Sequence, residues 1–192
     1  KQYSAAQKLN EALFDGMPAQ QIPSYGVTTD LASINARDLY AYYQRVLARD
    51  QIDIIVVGDV DVDDVTARWQ AVGFTDRPTD QLAPFFKHQN LGRYVEIQER
   101  QDLSQAKLNL GYDLPVFYRG EHYYAALVFN ELFGGSPLSK LFMNVREKAS
   151  LAYYASSSLD TFRGVMKVQA GIDGQKHDQV LAIIDEQLTA IK

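Results

Sequence analysis

Arg146 and Tyr153 are the residues of this 192-residue chain whose types and spacing point most directly to chemistry. They lie in the stretch VREKASLAYYASS, residues 145–157, which reads as the end of a helix followed by a strand. A helix ending near Ala149 and a strand beginning near Leu151 keep the helix end and the strand start close together. An arginine on the last helical turn and a tyrosine two or three residues into the strand then aim at one region of space. Guanidinium and phenol are both hydrogen-bond donors. Two such donors suit a peptide carbonyl, above all one gaining negative charge under nucleophilic attack. A purely structural account covers the same residues. Arg146 and Lys148 in a last helical turn are favoured by the helix dipole by about 0.3–1 kcal/mol each, and Tyr153 and Tyr154 are good strand formers. Spacing alone leaves both accounts open.

Other chemistries find little support. The chain has no cysteine, which excludes disulfide scaffolds, zinc ribbons and thiol catalysis. Its three histidines, His88, His122 and His177, include no pair at helical i, i+4 spacing, so no metal site is expected in this chain. The acidic run Asp59, Asp61, Asp63, Asp64 invites a calcium-loop reading. Such a loop starting at Asp59 needs glycine at its sixth position and glutamate at its twelfth, and Asp64 and Gln70 stand there. Acids at a helix start explain the run. The segment FGGSPLSK is no phosphate loop, because Lys140 precedes Leu141 rather than a serine or threonine, and its glycines follow a helix. No G-x-S-x-G elbow is present.

The net charge is −5 with acids and bases interspersed, which excludes a concentrated basic face for nucleic acid. No apolar run approaches the roughly 20 residues needed to cross a bilayer. The opening residues mix polar and apolar at helical spacing, unlike a secretory leader. No membrane partner and a cytoplasmic location are expected.

The elements that position the pair follow from periodicity. Helices are expected over 3–14, over ARDLYAYYQRVLAR after an Asn35 cap, and over VDDVTARWQAVG after an Asp61 cap, closed by Gly73. Between the last two, IDIIVV reads as a strand covered on both faces. Residues 75–90 lose periodicity and contain Pro78 and Pro84, which marks a linker. The pattern then restarts: strands over RYVEIQE and SQAKLNLGYDLP, a helix ending at Gly134–Gly135, a helix capped by Ser136, two strands, and a last helix from His177. Strand–strand–helix–helix–strand–strand–helix is the order of an α+β fold with an antiparallel sheet layered against helices. The expected domains are 1–74 as the C-terminal part of a first α/β unit, a 75–90 linker, and 91–192 as a second unit truncated at its end. A single apolar strand in residues 1–74 cannot satisfy its own backbone, so its neighbours are expected in sequence outside this chain.

The run NELFGGSPLSKLFMNVREKASLAYYASSS resembles a signature of the pitrilysin/insulinase-type zinc metallopeptidases and their mitochondrial processing peptidase relatives. That signature has the form N-x-x-L-G-G-G, then S-R-L-F, then R-E-K-x-G-L-A-Y. The upstream VVGDVD turn is similar to the family's as well. The chain departs from the pattern at Ser136, Lys140 and Ser150, which replace a glycine, an arginine and a glycine. The resemblance implies the metallopeptidase half-unit type of fold and a C-terminal region closing a peptide-binding chamber. It implies that Arg146 and Tyr153 act there on a peptide substrate, with zinc supplied by an H-x-x-E-H motif that is absent here. The partner is then a zinc-bearing N-terminal half or another subunit, and this chain alone is expected to be inactive and to hold no cofactor. The flanks look most like a bacterial branch whose members often lack the zinc motif, which implies the alternative of a catalytically inactive scaffold or partner subunit. An exposed sheet edge adds the expectation of a dimer.

Overall fold

The computed structural model describes residues 2–73, 77–80, 86–88 and 90–191. Its regular elements are α1 (Gln2–Leu13), α2 (Pro18–Gln21), α3 (Ala36–Arg49), α4 (Val62–Ala71), β1 (Ala106–Asp113), α5 (Tyr123–Asn130), β2 (Ala152–Asp160), β3 (Val165–Ile172) and α6 (His177–Thr189). Two wide π-helical segments, Glu131–Gly135 and Phe142–Lys148, lie between α5 and β2. The chain divides into two units, one made of residues 1–24 with 86–192 and the other of residues 25–85. Of the linker expected at 75–90, residues 75, 76, 81–85 and 89 lie outside the described residues.

The larger unit is an α+β layer built on a three-stranded antiparallel sheet in the order β1-β3-β2. β3 pairs with β1 from Val165↔Asp113 to Ile172↔Ala106, and with β2 from Val165↔Asp160 to Ile172↔Ala152. Alternation along β3 sends Met166, Val168, Ala170 and Ile172 to one face, where they meet Val180 and Ile184 of α6 together with Phe133, Leu141 and Val145. Fully burying a side chain of this size is worth about 1.5–3 kcal/mol, so this face dominates the fold's stability. On the opposite face Val165 packs with Leu13 and Phe14.

α1 lies on the sheet of the larger unit. The reason is local. A Cβ on Gly111 would stand 2.5 Å from the Leu13 side chain, so the bare glycine of β1 makes the seat for α1. Lys167 of β3, largely buried beside α1, adds a hydrogen bond to Asn10 at 2.8 Å.

In the smaller unit both expected caps form. The Asn35 side chain accepts from the Asp38 N–H at 3.0 Å, and Asp61 accepts from Asp64 N–H at 2.9 Å. Arg49 pairs with Asp80 at 2.6 Å.

Two expected strands do not form. Residues 52–57 and 93–99 join no ladder among the described residues. In the first run Ile55 is 87% and Val57 93% exposed. A strand needs a hydrogen-bonded neighbour, and neither run finds one there. A third expectation also shifts. Ser136 ends the first π-helical segment in extended conformation, and Ser139, buried, takes the capping role by accepting from the Phe142 N–H at 3.4 Å. No helix among the described residues is long and apolar enough to cross a membrane.

Candidate functional site at the helix-to-strand turn

The site is built by two tight approaches. The first is the glycine pair. A Cβ on Gly134 would stand 2.5 Å from the Ser157 nitrogen, so the end of α5 and its π-helical extension rest directly on the β2 backbone. The buried Ser157 hydroxyl donates to Asn130 at 2.9 Å and fixes the same approach. The Ser136 hydroxyl donates to the Glu131 carbonyl at 3.1 Å, one of the carbonyls left over at a helix end.

The second approach is the turn after the 142–148 segment. The Ala149 N–H donates to the Asn144 carbonyl at 3.2 Å, five residues back, and the Leu151 N–H to Val145 at 3.1 Å. Between them Ser150 has φ +53°, the left-handed region that favours glycine. This reversal brings the chain straight from helix into β2. Asn144 anchors the segment to α6 through Gln187 at 2.8 Å.

Arg146 lies on this last turn. Its guanidinium sits 4.5 Å from the Phe142 ring centroid, one turn earlier, and 3.4 Å from the Glu147 carboxylate, with the side chain 41% exposed. Tyr153 follows the turn. The register of β2 against β3 shifts between Ala152 and Tyr154, so Tyr153 is the extra residue of a β-bulge. The bulge turns its side chain outward, 63% exposed, and its hydroxyl makes no hydrogen bond among the described residues. Tyr153 lines a hollow of about 270 Å³ with Ser150, Leu151, Ala152, Asp173 and Lys176. Both residues named from the sequence therefore stand at the surface on either side of the Ser150 turn, Arg146 held by Phe142 and Glu147 rather than by Tyr153.

Tyr154 goes the other way. Its ring covers Gly171 and has the Lys107 ammonium 5.3 Å from its centroid, and burial raises its phenol above the usual range. Sequence reasoning missed Phe142 as the support of Arg146, although the i, i+4 spacing signals it. It also missed the bulge, for which the sequence carries no local sign.

Among the described residues, no three His, Asp or Glu side chains converge to hold an ion. His88 pairs with Asp113 at 2.6 Å and His177 with Asp178 at 2.8 Å, while His122 stands at the start of α5.

Comparison with known proteins gives one consistent result. Residues 33–192 match the family described as the peptidase M16 inactive domain. A probable inactive metalloprotease of Bacillus subtilis is 40% identical over 167 residues, covering 87% of this chain and 39% of that protein. An uncharacterized zinc protease of the same organism is 30% identical over 181 residues, covering 88% and 41%. The crystal structure of a conserved protein from Enterococcus faecalis superposes with a TM-score of 0.88 at 46% identity, covering 98% of this chain and 44% of that one. A peptidase M16 inactive domain from Pseudomonas fluorescens, 20% identical, shares the fold with a TM-score of 0.73 over 97% of this chain and 45% of that one. The chain spans about two fifths of the length of the relatives it matches.

Proposed function

Since the chain belongs to the peptidase M16 inactive-domain family, we propose that it works as the non-catalytic half of a zinc-endopeptidase-like protein. In this reading it closes a peptide-binding chamber against a zinc-bearing half, carried by the same polypeptide or by a partner subunit. Arg146 and Tyr153 act on an extended peptide substrate. The guanidinium and the phenol each offer a hydrogen to a backbone carbonyl, and they hold its oxygen more tightly as negative charge develops. One observation carries the proposal: the two donors flank a single tight turn, both open to solvent, and the tyrosine is lifted out by a bulge, its hydroxyl making no hydrogen bond among the described residues. Bulges of this kind commonly re-aim a side chain beside a site.

The test uses the complete protein together with its zinc-bearing half and a fluorogenic extended peptide. Arg146→Ala and Tyr153→Phe are each expected to lower kcat/KM by roughly 10²-fold, with melting temperature lowered by no more than about 5 °C. Activity and melting temperature falling in step would count against the proposal.

A second reading, an inactive scaffold or partner subunit, draws on the Glu147 carboxylate 3.4 Å from Arg146, which offsets the charge the first reading needs. It draws also on the relative named a probable inactive metalloprotease. On this reading both variants leave peptide turnover by the partnered complex untouched, while capture of a zinc-bearing partner persists.

A further inference from the structure

The chain leaves the larger unit after Ser24 and re-enters it at Phe86, so the smaller unit is an insertion. One side chain fastens the exit to the return. Gln20 of α2 is buried, only 5% exposed. Its carboxamide donates to the Lys87 carbonyl at 3.1 Å and accepts from the Lys87 N–H at 3.1 Å. That double bond to one residue copies the exchange between paired residues of neighbouring strands. The carboxamide also donates to the Met17 sulfur at 2.7 Å.

This grip is one link in a ring of contacts that begins and ends on the sheet. α1 is seated on Gly111 of β1. Two glutamines tie α2 to α1 in opposite directions: Gln7 donates to the Gln21 carbonyl at 2.9 Å, and Gln21 donates to the Glu11 carbonyl at 2.7 Å. α2 then holds Lys87 through Gln20. On either side of Lys87 the chain returns to the sheet. His88 meets Asp113, the last residue of β1, at 2.6 Å. Phe86 lies against Arg163, whose guanidinium carbon is 4.8 Å from its ring centroid and 5.1 Å from that of Phe14, just after α1.

Such a ring decides how far an opening travels. Releasing Lys87 alone leaves a buried carboxamide unpaired, which costs more than a hydrogen bond normally contributes. Lys87 and α2 are therefore held as one piece. Opening of residues 25–85 with the ring intact leaves a loop whose ends stay joined, and the entropy of such a loop depends only weakly on its length. We propose that the ring lets residues 25–85 open as a unit while the sheet that carries Tyr153 stays closed. It is a boundary between two cooperative units of unfolding. The proposal is independent of the reading of Arg146 and Tyr153.

Amide exchange of the 192-residue chain, followed residue by residue by NMR, tests it. Removing both caps of the smaller unit, Asn35→Ala with Asp61→Ala, is expected to speed exchange in α3 and α4 about tenfold or more. Val168 and Ala170 of β3 are expected to change by less than about twofold in the same variant. Gln20→Leu is expected to speed the Lys87 amide about tenfold, again with little change in β3. With all three substitutions the Gln21 and Ile22 amides are expected to speed up about tenfold as well, which cap removal alone does not cause. Cap removal that speeds β3 as much as α3 overturns the proposal, because the chain then opens as one unit. So does a Lys87 amide that exchanges no faster in Gln20→Leu, and so does a triple variant whose Gln21 and Ile22 amides behave as in cap removal alone.

Discussion

Tyr154 lays its ring across Gly171, so closely that a Cβ on the glycine would stand 2.4 Å from it. The two residues pair across β2 and β3, and Lys107 of β1 completes the row beyond the glycine. The missing side chain lets the tyrosine reach across a strand and bury its flank, a known way of rescuing a glycine in a sheet. Gly171→Ala is expected to cost about 1–3 kcal/mol, the range for overpacking, read by urea denaturation. With Tyr154→Ala already present the same change is expected to cost less than half as much. Additive losses would show that the ring and the glycine do not share the space.

Ser150 predicts a gain. Its φ of +53° places an L side chain in the left-handed region, at about 1–2 kcal/mol. Glycine removes that strain and returns roughly half through greater freedom of the unfolded chain. Ser150→Gly is expected to stabilise by about 0.5–1 kcal/mol, while Ser150→Ala is expected to bring no gain. Thermal denaturation of the two side by side decides it, and an equal response from alanine would remove strain as the cause.

This serine also shows where the sequence is informative. The turn between Lys148 and Ala152, the caps at Asn35 and Asp61 and the three strands of the sheet are local features, written in spacing and capping chemistry, and they form as expected. The runs 52–57 and 93–99 have strand composition as clear as that of β3, yet neither joins a ladder among the described residues, because a strand is defined by its neighbour and composition does not name one. The seat of α1 on Gly111 likewise depends on a contact almost a hundred residues away. At the site, helix end and strand start were readable, whereas the bulge that exposes Tyr153 is set by the register against β3.

Tyr112 gives the fold an alkaline limit. Burial, aided by the nearby Asp185 carboxylate, pushes its phenol up to about 12. A raised folded value means that the unfolded chain loses this proton first. The contribution is therefore full below about pH 10, the ordinary tyrosine value, and is lost as pH rises from there to about 12. Denaturant midpoints of the wild type are expected to fall across that window, and those of Tyr112→Phe to fall less steeply. Parallel slopes would assign the alkaline loss to other groups.

Arg146 has two neighbours, and their magnitudes differ. The guanidinium lies 4.5 Å from the Phe142 ring centroid and 3.4 Å from the Glu147 carboxylate. An exposed ion pair is worth about 0.2–1 kcal/mol at best and is screened by salt. A cation over a ring face is worth about 0.5–1 kcal/mol at exposed sites, and the ring also limits where the arginine can swing. Double-mutant cycles of Arg146→Gln with Phe142→Leu and with Glu147→Gln are expected to give the larger coupling to Phe142, and only the Glu147 coupling is expected to shrink in about 0.5 M salt, where the Debye length is a few ångströms. The same ordering carries into recognition. If Phe142 aims the guanidinium and Glu147 merely offsets its charge, Phe142→Leu weakens binding of an extended peptide and Glu147→Gln strengthens it. Calorimetry on the two variants separates the roles, and a loss of binding in Glu147→Gln would mean that the carboxylate, not the ring, positions Arg146.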